Sequence, residues 1–257
     1  MQKISLIIPC YNESQRINLL VDALREFDAQ WPAPYEVIVV NDGSKDDTSQ
    51  KLRAQLPNTL RNAAPQIIDA PQNQGKGHAL SLGVAAATGD FVLTLDADMA
   101  THPLELLKWL ERRPDGLFSS QHLLIGSREH EESQVKALWL RRFAGGLYNG
   151  AIRLFTPISA RDTQCGFKLY PAAAAKALFA SLRIKGWAHD IELLYKAHLI
   201  GLKICPMPVA WQHVENEKIS VFKDGMIMLF HTIYISCRIK LEWYVLRRRW
   251  TRQLQRK

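Results

Sequence analysis

The strongest constraint on this chain is a pattern that occurs four times in its first hundred residues: a short apolar run of strand length that stops at a polar turn. The runs are Ile4 to Ile8, Tyr35 to Val40, Gln66 to Ile68 and Asp90 to Leu95. Between them, Ile17, Leu20, Val21, Leu24 and Phe27 fall at helical spacing, a polar helix starts near Thr48, and a small-residue helix follows Gly75-Lys76-Gly77 and runs through Ala87. Strands alternating with helices predict an α/β fold, a mainly parallel sheet with helices on both faces. In such sheets ligands bind outside the carboxyl ends of the strands. Tyr11 and Glu13, Asp42, Lys76, and Asp96 with Asp98 all fall at those ends, which predicts one polar crevice.

With 257 residues at 47% hydrophobic composition, the chain carries enough apolar side chains for one sizeable core, which excludes disordered and collagen-like classes. Cys10, Cys165, Cys205 and Cys237 form no CxxC pair, so neither a metal knuckle nor a thiol redox motif is expected. The formal charge of +8 lies almost wholly in the last twenty residues, where Arg238, Lys240, Arg247, Arg248, Arg249, Arg252, Arg256 and Lys257 face only Glu242. The rest of the chain is nearly neutral and gives a nucleic acid no basic face, so no nucleic-acid partner is expected.

Individually, the polar motifs each carry two readings. Asp96-Ala97-Asp98 just beyond a buried strand places two hard oxygen donors at a crevice mouth, suited to Mg²⁺ or Mn²⁺ shared with substrate phosphates, or else forms a turn before the helix near Pro103. Asp42-Gly43-Ser44 is a turn leading to a helix cap, and its carboxylate also stands where dinucleotide folds hold a ribose. Gly75-Lys76-Gly77 offers phosphate-facing amides and a cation without Walker spacing. Pro206 and Pro208 are taken as the end of the compact body, Glu129 to Lys136 as a charged stretch, and the chain from Gly126 onward as less regular, with one mobile loop.

Read together and in order, Pro9-Cys10-Tyr11-Asn12-Glu13, Val40-Asn41-Asp42-Gly43-Ser44, Asn73-Gln74-Gly75-Lys76-Gly77, Leu95 to Asp98, Gly126-Ser127-Arg128, Asp162 to Lys168 (DTQCGFK) and Trp187 to Leu194 (WAHDIELL) resemble family 2 glycosyltransferases of GT-A fold. The last two segments are most similar to those of dolichyl-phosphate β-glucosyltransferases, and the resemblance runs from about residue 3 to residue 218. It implies a metal-dependent inverting transferase that moves glucose from UDP-glucose to a polyprenyl phosphate. It places Pro9, Tyr11, Glu13 and Asp42 on the uridine, Lys76 near it, and Asp96 with Asp98 on an Mg²⁺ or Mn²⁺ at the diphosphate. Arg128, Gln164 and Lys168 would line the phosphate and acceptor side, and Lys218 matches a basic position before the C-terminal helices. Asp190 falls near the catalytic carboxylate of inverting members, either as base or to orient hydroxyls. Some lipid-phosphate members carry Gln two residues after the second metal Asp; here that position is Ala100, which leaves a third metal contact open. Rival readings are another nucleotide sugar, a saccharide or soluble acceptor, or a nucleotide-sugar-binding partner protein without turnover.

Residues 1–218 are therefore expected to form the catalytic domain and 219–257 amphipathic, basic helices. In the latter, Met226, Phe230, Ile233, Cys237, Leu241 and Tyr244 recur three or four apart, while Thr232 and Ser236 fall elsewhere. Either that apolar row packs on the body, or it joins Trp243, Tyr244, Trp250 and the arginines at a lipid headgroup layer. The second reading puts the protein peripherally on the cytoplasmic face of a membrane.

Overall fold

A computed structural model describes residues 2–112, 119–136, 150, 152–212 and 221–254. The four expected runs are strands β1 (Ile4–Cys10), β2 (Tyr35–Asn41), β3 (Gln66–Asp69) and β4 (Phe91–Thr94), with helices α1 (Ile17–Gln30), α2 (Thr48–Gln55) and α3 (Lys76–Ala86) between them. Then come α4 (Glu105–Arg112), β5 (His122–Ser127), β6 (Gln134–Lys136), β7 (Lys168–Pro171), α5 (Ala172–Ala180), α6 (His189–Leu199), β8 (Lys203–Pro208), β9 (Ala210–Gln212) and α7 (Val221–Leu254). The main sheet has the order β3-β2-β1-β4-β7-β5-β8. All its pairings are parallel except those of β7, which runs antiparallel to β4 and β5.

Side chains alternate across a strand, so a sheet buried on both faces needs apolar residues at successive positions. In β1, Ile4, Leu6 and Ile8 pack with α1, α2 and α4 through Leu20, Leu24, Leu52, Leu106 and Trp109. Ile7 points the other way, into a cluster with Leu80 of α3, Phe179 of α5, Leu194 of α6 and Ile235 of α7. The sheet is thus the middle of three layers. Because the chain runs β1-β2-β3 in one direction and then places β4 on the other side of β1, the strand order reverses between β1 and β4. A crevice opens at their carboxyl ends.

Two expectations change. Pro208 ends β8 rather than the body, since β9 follows it and pairs with β6. The charged stretch from Glu129 ends in that partner strand, Gln134–Lys136. The C-terminal segment is one helix of 34 residues, about 51 Å long. Its body-facing side is Thr232, Ile235, Ser236 and Ile239, all buried, whereas Met226, Phe230, Cys237 and Leu241 of the expected apolar row are exposed. Ser236 satisfies its hydroxyl on the Phe155 carbonyl and Thr232 on its own helix at Met228, so of the two readings of the apolar row the one that packs it on the body does not hold.

Candidate active site

The nucleotide end of the crevice is built by loops tied to one another. Asp42 donates its amide to the Cys10 carbonyl at 2.8 Å, joining the ends of β1 and β2. Its buried carboxylate accepts the amides of Gln74 (3.2 Å) and Gly75 (2.7 Å), so this side chain holds the loop that leads into α3. The Pro9–Glu13 turn is pinned by Asn12 and Glu13 amides donating to the Ser44 and Thr48 hydroxyls at 2.9 and 2.7 Å. Glu13 pairs with Arg16 at 2.6 Å, and Tyr11 lies half-buried on the same turn. Gly75 has φ +104°, and a Cβ there would meet the Lys185 carbonyl at 2.6 Å, so the turn into Lys76 requires glycine.

Beyond β4 the turn reading of Asp-x-Asp is realised. The Asp98 carboxylate accepts the Ala100 amide at 3.0 Å, and Met99 between them takes a left-handed φ of +54°. Burial and the neighbouring Asp96 push the Asp98 carboxyl up to about 6. Asp96 is paired with Lys76, whose ammonium also lies 5.6 Å over the Trp187 ring. No group of three or more acidic, His or Cys ligands occurs among the described residues. Two adjacent carboxylates, one of them held up by its neighbour's charge, are the donor set that a small divalent ion uses when substrate phosphates complete its shell. The residues therefore fit Mg²⁺ or Mn²⁺. Gly166 lies directly against the Asp96 carboxylate, and a Cβ would collide with it.

On the far side β7 brings Lys168 opposite Thr94 of β4. Lys168 is 1% exposed, with its ammonium 2.6 Å from Asp190 and 2.5 Å from the Cys165 carbonyl. Burial works against the Asp190 carboxylate, yet His189, Lys168 and Lys76 hold it below the usual range. The His189 ring, itself driven down by burial, turns Nδ1 to the Gly186 carbonyl at 2.9 Å. Lys168 is then the permanent cation on Asp190. A carboxylate so engaged is a weak proton acceptor.

Arg128 is gripped by Asp162 through Nε (2.7 Å), Nη2 (2.9 Å) and its own amide (2.9 Å), with Trp211 5.6 Å below the guanidinium. The Gln164 amide donates to the other oxygen of the same carboxylate at 3.1 Å. This leaves the Nη1 edge of Arg128 free of Asp162 and charged. Asp96, Asp98, Lys76, Lys168, Asp190 and Arg128 thus form one electrostatic neighbourhood. Pro9 lies at the end of β1 and Tyr11 and Glu13 follow it, Asp42 is buried at the end of β2, and the Gln164 backbone amide is bonded to Asp162. Lys218 lies outside the described residues.

Sequence reasoning missed Asp162 and Arg16 as individual site residues. Asp162 opens the DTQCGFK segment, and a buried carboxylate demands a cation, but its partner lies 34 positions away. Arg16 carried the readable signal of an i,i+3 pair with Glu13, and its charge reaches Asp98.

A sheet reversing between β1 and β4, with paired aspartates at the reversal and cations around them, defines a GT-A-type nucleotide-sugar crevice. The chain belongs to glycosyl transferase family 2, whose sequence model matches residues 5–179. A dolichyl-phosphate β-glucosyltransferase of Drosophila melanogaster is 36% identical over 243 residues, covering 88% of this chain and 72% of its own length. The human dolichyl-phosphate β-glucosyltransferase is 32% identical over 247 residues, covering 92% and 76%. Among solved structures, glucosyl-3-phosphoglycerate synthase of Mycobacterium tuberculosis, in complex with Mn²⁺, UDP-glucose and phosphoglyceric acid, superposes with a TM-score of 0.66 at 21% identity. It covers 92% of this chain and 80% of that one, a likeness of fold.

Proposed function

We propose that this chain is an inverting glucosyltransferase that moves glucose from UDP-glucose to a polyprenyl phosphate of the dolichyl or undecaprenyl type, giving a β-linked lipid-phosphate sugar. The observation that carries the reading is the identity with dolichyl-phosphate β-glucosyltransferases, 36% and 32% over 88% and 92% of this chain. The site chemistry supports it. Asp96 and Asp98 hold the divalent ion, which when bound neutralises charge on the leaving diphosphate. Pro9, Tyr11 and Glu13 line the uridine side, and Asp42 keeps the 73–75 loop in place beside them.

In the reaction, a phosphate oxygen of the acceptor forms a bond to C1 of glucose from the face opposite UDP, and the bond from C1 to the β-phosphate oxygen breaks. Charge therefore builds on UDP as it drains from the acceptor phosphate. Lys76 and the free edge of Arg128 face this redistribution, and the Lys168–Asp190 pair forms the floor. A phosphate monoester, with a second pKa of about 6, is already mostly dianionic at neutral pH. It needs no strong base, which agrees with an Asp190 committed to Lys168.

The long helix α7 supports a membrane-surface setting. No helix among the described residues is long and apolar enough to cross a bilayer. Instead α7 seats Ile235 and Ile239 on the body while presenting Met226, Ile227, Phe230, Tyr234 and Leu241, each at least 45% exposed, away from it. The sequence after Glu242 is rich in arginine, and an exposed apolar face with such a basic segment is a combination suited to the anionic cytoplasmic leaflet, where each cation contributes about 1 kcal/mol.

The test is UDP release from UDP-glucose with Mn²⁺ or Mg²⁺, with and without a short polyprenyl phosphate, for wild type and Asp98→Asn. Lipid-dependent release lost in the variant is expected. Release unaffected by lipid, or release only with another nucleotide sugar or a saccharide acceptor, overturns this donor-acceptor pair.

A further inference from the structure

Glu192 stands in the first turn of α6, two residues from Asp190, yet its side chain points away from the crevice and is completely buried. A buried carboxylate has to be neutralised and hydrogen-bonded, and this one is satisfied by three separate parts of the chain. Lys196, one turn on, lies at 2.7 Å. Arg238 of α7 lies at 2.6 Å. The amides of Arg183 (3.2 Å) and Ile184 (2.9 Å), in the loop between α5 and α6, donate to it as well. Burial opposes the charge, and these donors outweigh it, holding the carboxyl below the usual glutamate range.

The loop that Glu192 anchors continues directly into the donor side of the crevice. The Lys185 carbonyl accepts the Gly77 amide at 2.7 Å, at the start of α3. Its ammonium reaches the Gln74 side chain, and its carbonyl is the group that Gly75 passes too closely to carry a Cβ. Gln74 and Gly75 in turn give their amides to Asp42, and Lys76, the next residue, neutralises Asp96. An unbroken series of hydrogen bonds therefore runs from α7 through Glu192 and the 183–185 backbone to the donor-binding loop.

We propose that Glu192, clamped by Arg238 of α7, is a positioning residue for the donor: it holds the 183–185 loop against residues 74–77, so that α7 must be seated for the nucleotide sugar to bind tightly. The inference rests on the reading of the crevice as a nucleotide-sugar site. Arg238 is suited to the clamp because Glu192 is the nearer of its two carboxylate partners. Its side chain is 9% exposed, Nε and Nη1 have no hydrogen-bond partner, and Glu242 stands 3.7 Å from Nε, beyond hydrogen-bond range.

The experiment measures UDP binding in the presence of Mn²⁺ by calorimetry, and KM and kcat for UDP-glucose, on the full chain. The variants are Glu192→Gln, Arg238→Met, Arg238→Lys and Phe27→Leu. Glu192→Gln keeps an acceptor for the Ile184 amide but removes the charge. Arg238→Met removes the clamp from the α7 side. Both are expected to weaken UDP binding and raise KM for UDP-glucose about tenfold, as loss of one charge-assisted hydrogen bond implies, with kcat within about twofold. Arg238→Lys restores part of the affinity. Phe27→Leu, a core change that packs against Trp31 and Tyr35 far from this series, lowers the melting temperature without raising KM. Wild-type UDP affinity in both Glu192→Gln and Arg238→Met overturns the inference, as does an equal rise in KM in Phe27→Leu. Absence of UDP binding by the wild type instead overturns the reading of the site on which it rests.

Discussion

Replacing Asp190 by Asn tests how the centre of the crevice is held together. The Lys168 ammonium is 1% exposed and the Asp190 side chain 6%, with 2.6 Å between them, so water screens neither charge. Asn keeps the shape and an acceptor oxygen but leaves Lys168 as an uncompensated buried cation with the Cys165 carbonyl as its remaining partner. Breaking one half of such a pair costs about 3–5 kcal/mol. For a chain of this size each kcal/mol moves the melting temperature by about 2–4 °C, so Asp190→Asn should melt about 6–20 °C below wild type. The double variant Lys168→Met/Asp190→Leu, which removes both charges and keeps the volume, should regain most of that loss. Differential scanning calorimetry and urea titration at neutral pH measure both. A single variant melting within about 1 °C of wild type would refute the reasoning, as would a double variant less stable than the single. In residual activity, the acidic limb of the pH profile should stay near pH 6, where the acceptor phosphate and the Asp98 carboxyl both titrate, and not move with Asp190.

Three further outcomes follow from the same structure. The Asp98 carboxyl, raised by burial and by Asp96 to about 6, gives up a proton when a divalent ion binds; Mn²⁺ affinity measured by calorimetry should fall as pH drops below about 6 and level off above it. Because a raised acid favours folding only while protonated, that contribution is lost as pH rises through about 6, and Asp98→Asn should raise the metal-free melting temperature at pH 8 while abolishing Mn²⁺ binding. Glu36 is opposed by burial but held down to about 2 by Ser5, Thr88 and Lys3, so its contribution of about 1–3 kcal/mol is present above the unfolded value of 4.5 and lost as pH falls towards 2. Glu36→Gln should therefore be less stable than wild type at pH 7, with the gap closing in acid; a gap independent of pH contradicts this. Replacing Met226, Phe230 and Leu241 by Ser, all of them at least 60% exposed, should leave the melting temperature unchanged and weaken flotation with anionic vesicles at least tenfold. Undiminished flotation would remove the membrane role of that face.

The strand-helix order through β4 was legible because each strand is apolar on both sides and ends at a polar turn. The crevice followed from it, since topology alone assigns ligands to those ends. What lay hidden was set by contacts between segments distant in sequence. Asp162 is a site residue only because the fold carries it to Arg128, and Glu192 read as one more acidic residue of an α6 first turn. Which side of α7 meets the body was left open between two readings for a different reason. Periodicity finds the largest apolar row, but a helix laid against a wall already filled by other side chains packs most closely through Thr232, Ser236 and the isoleucines beside them. The large residues then remain outside. Pro206 and Pro208 signalled an ending because proline lacks an amide, yet β8 at the edge of the main sheet tolerates both.

The most direct test of the central claim follows the sugar itself. UDP-glucose labelled in the glucose is incubated with the full chain, Mn²⁺ and a short polyprenyl phosphate, and the organic-extractable product is analysed by mass spectrometry and by NMR of the anomeric centre. The account predicts label in a glucosyl polyprenyl phosphate of β configuration, absent with Asp98→Asn. Label that stays in the aqueous phase while UDP is released, or an α-linked product, would contradict it.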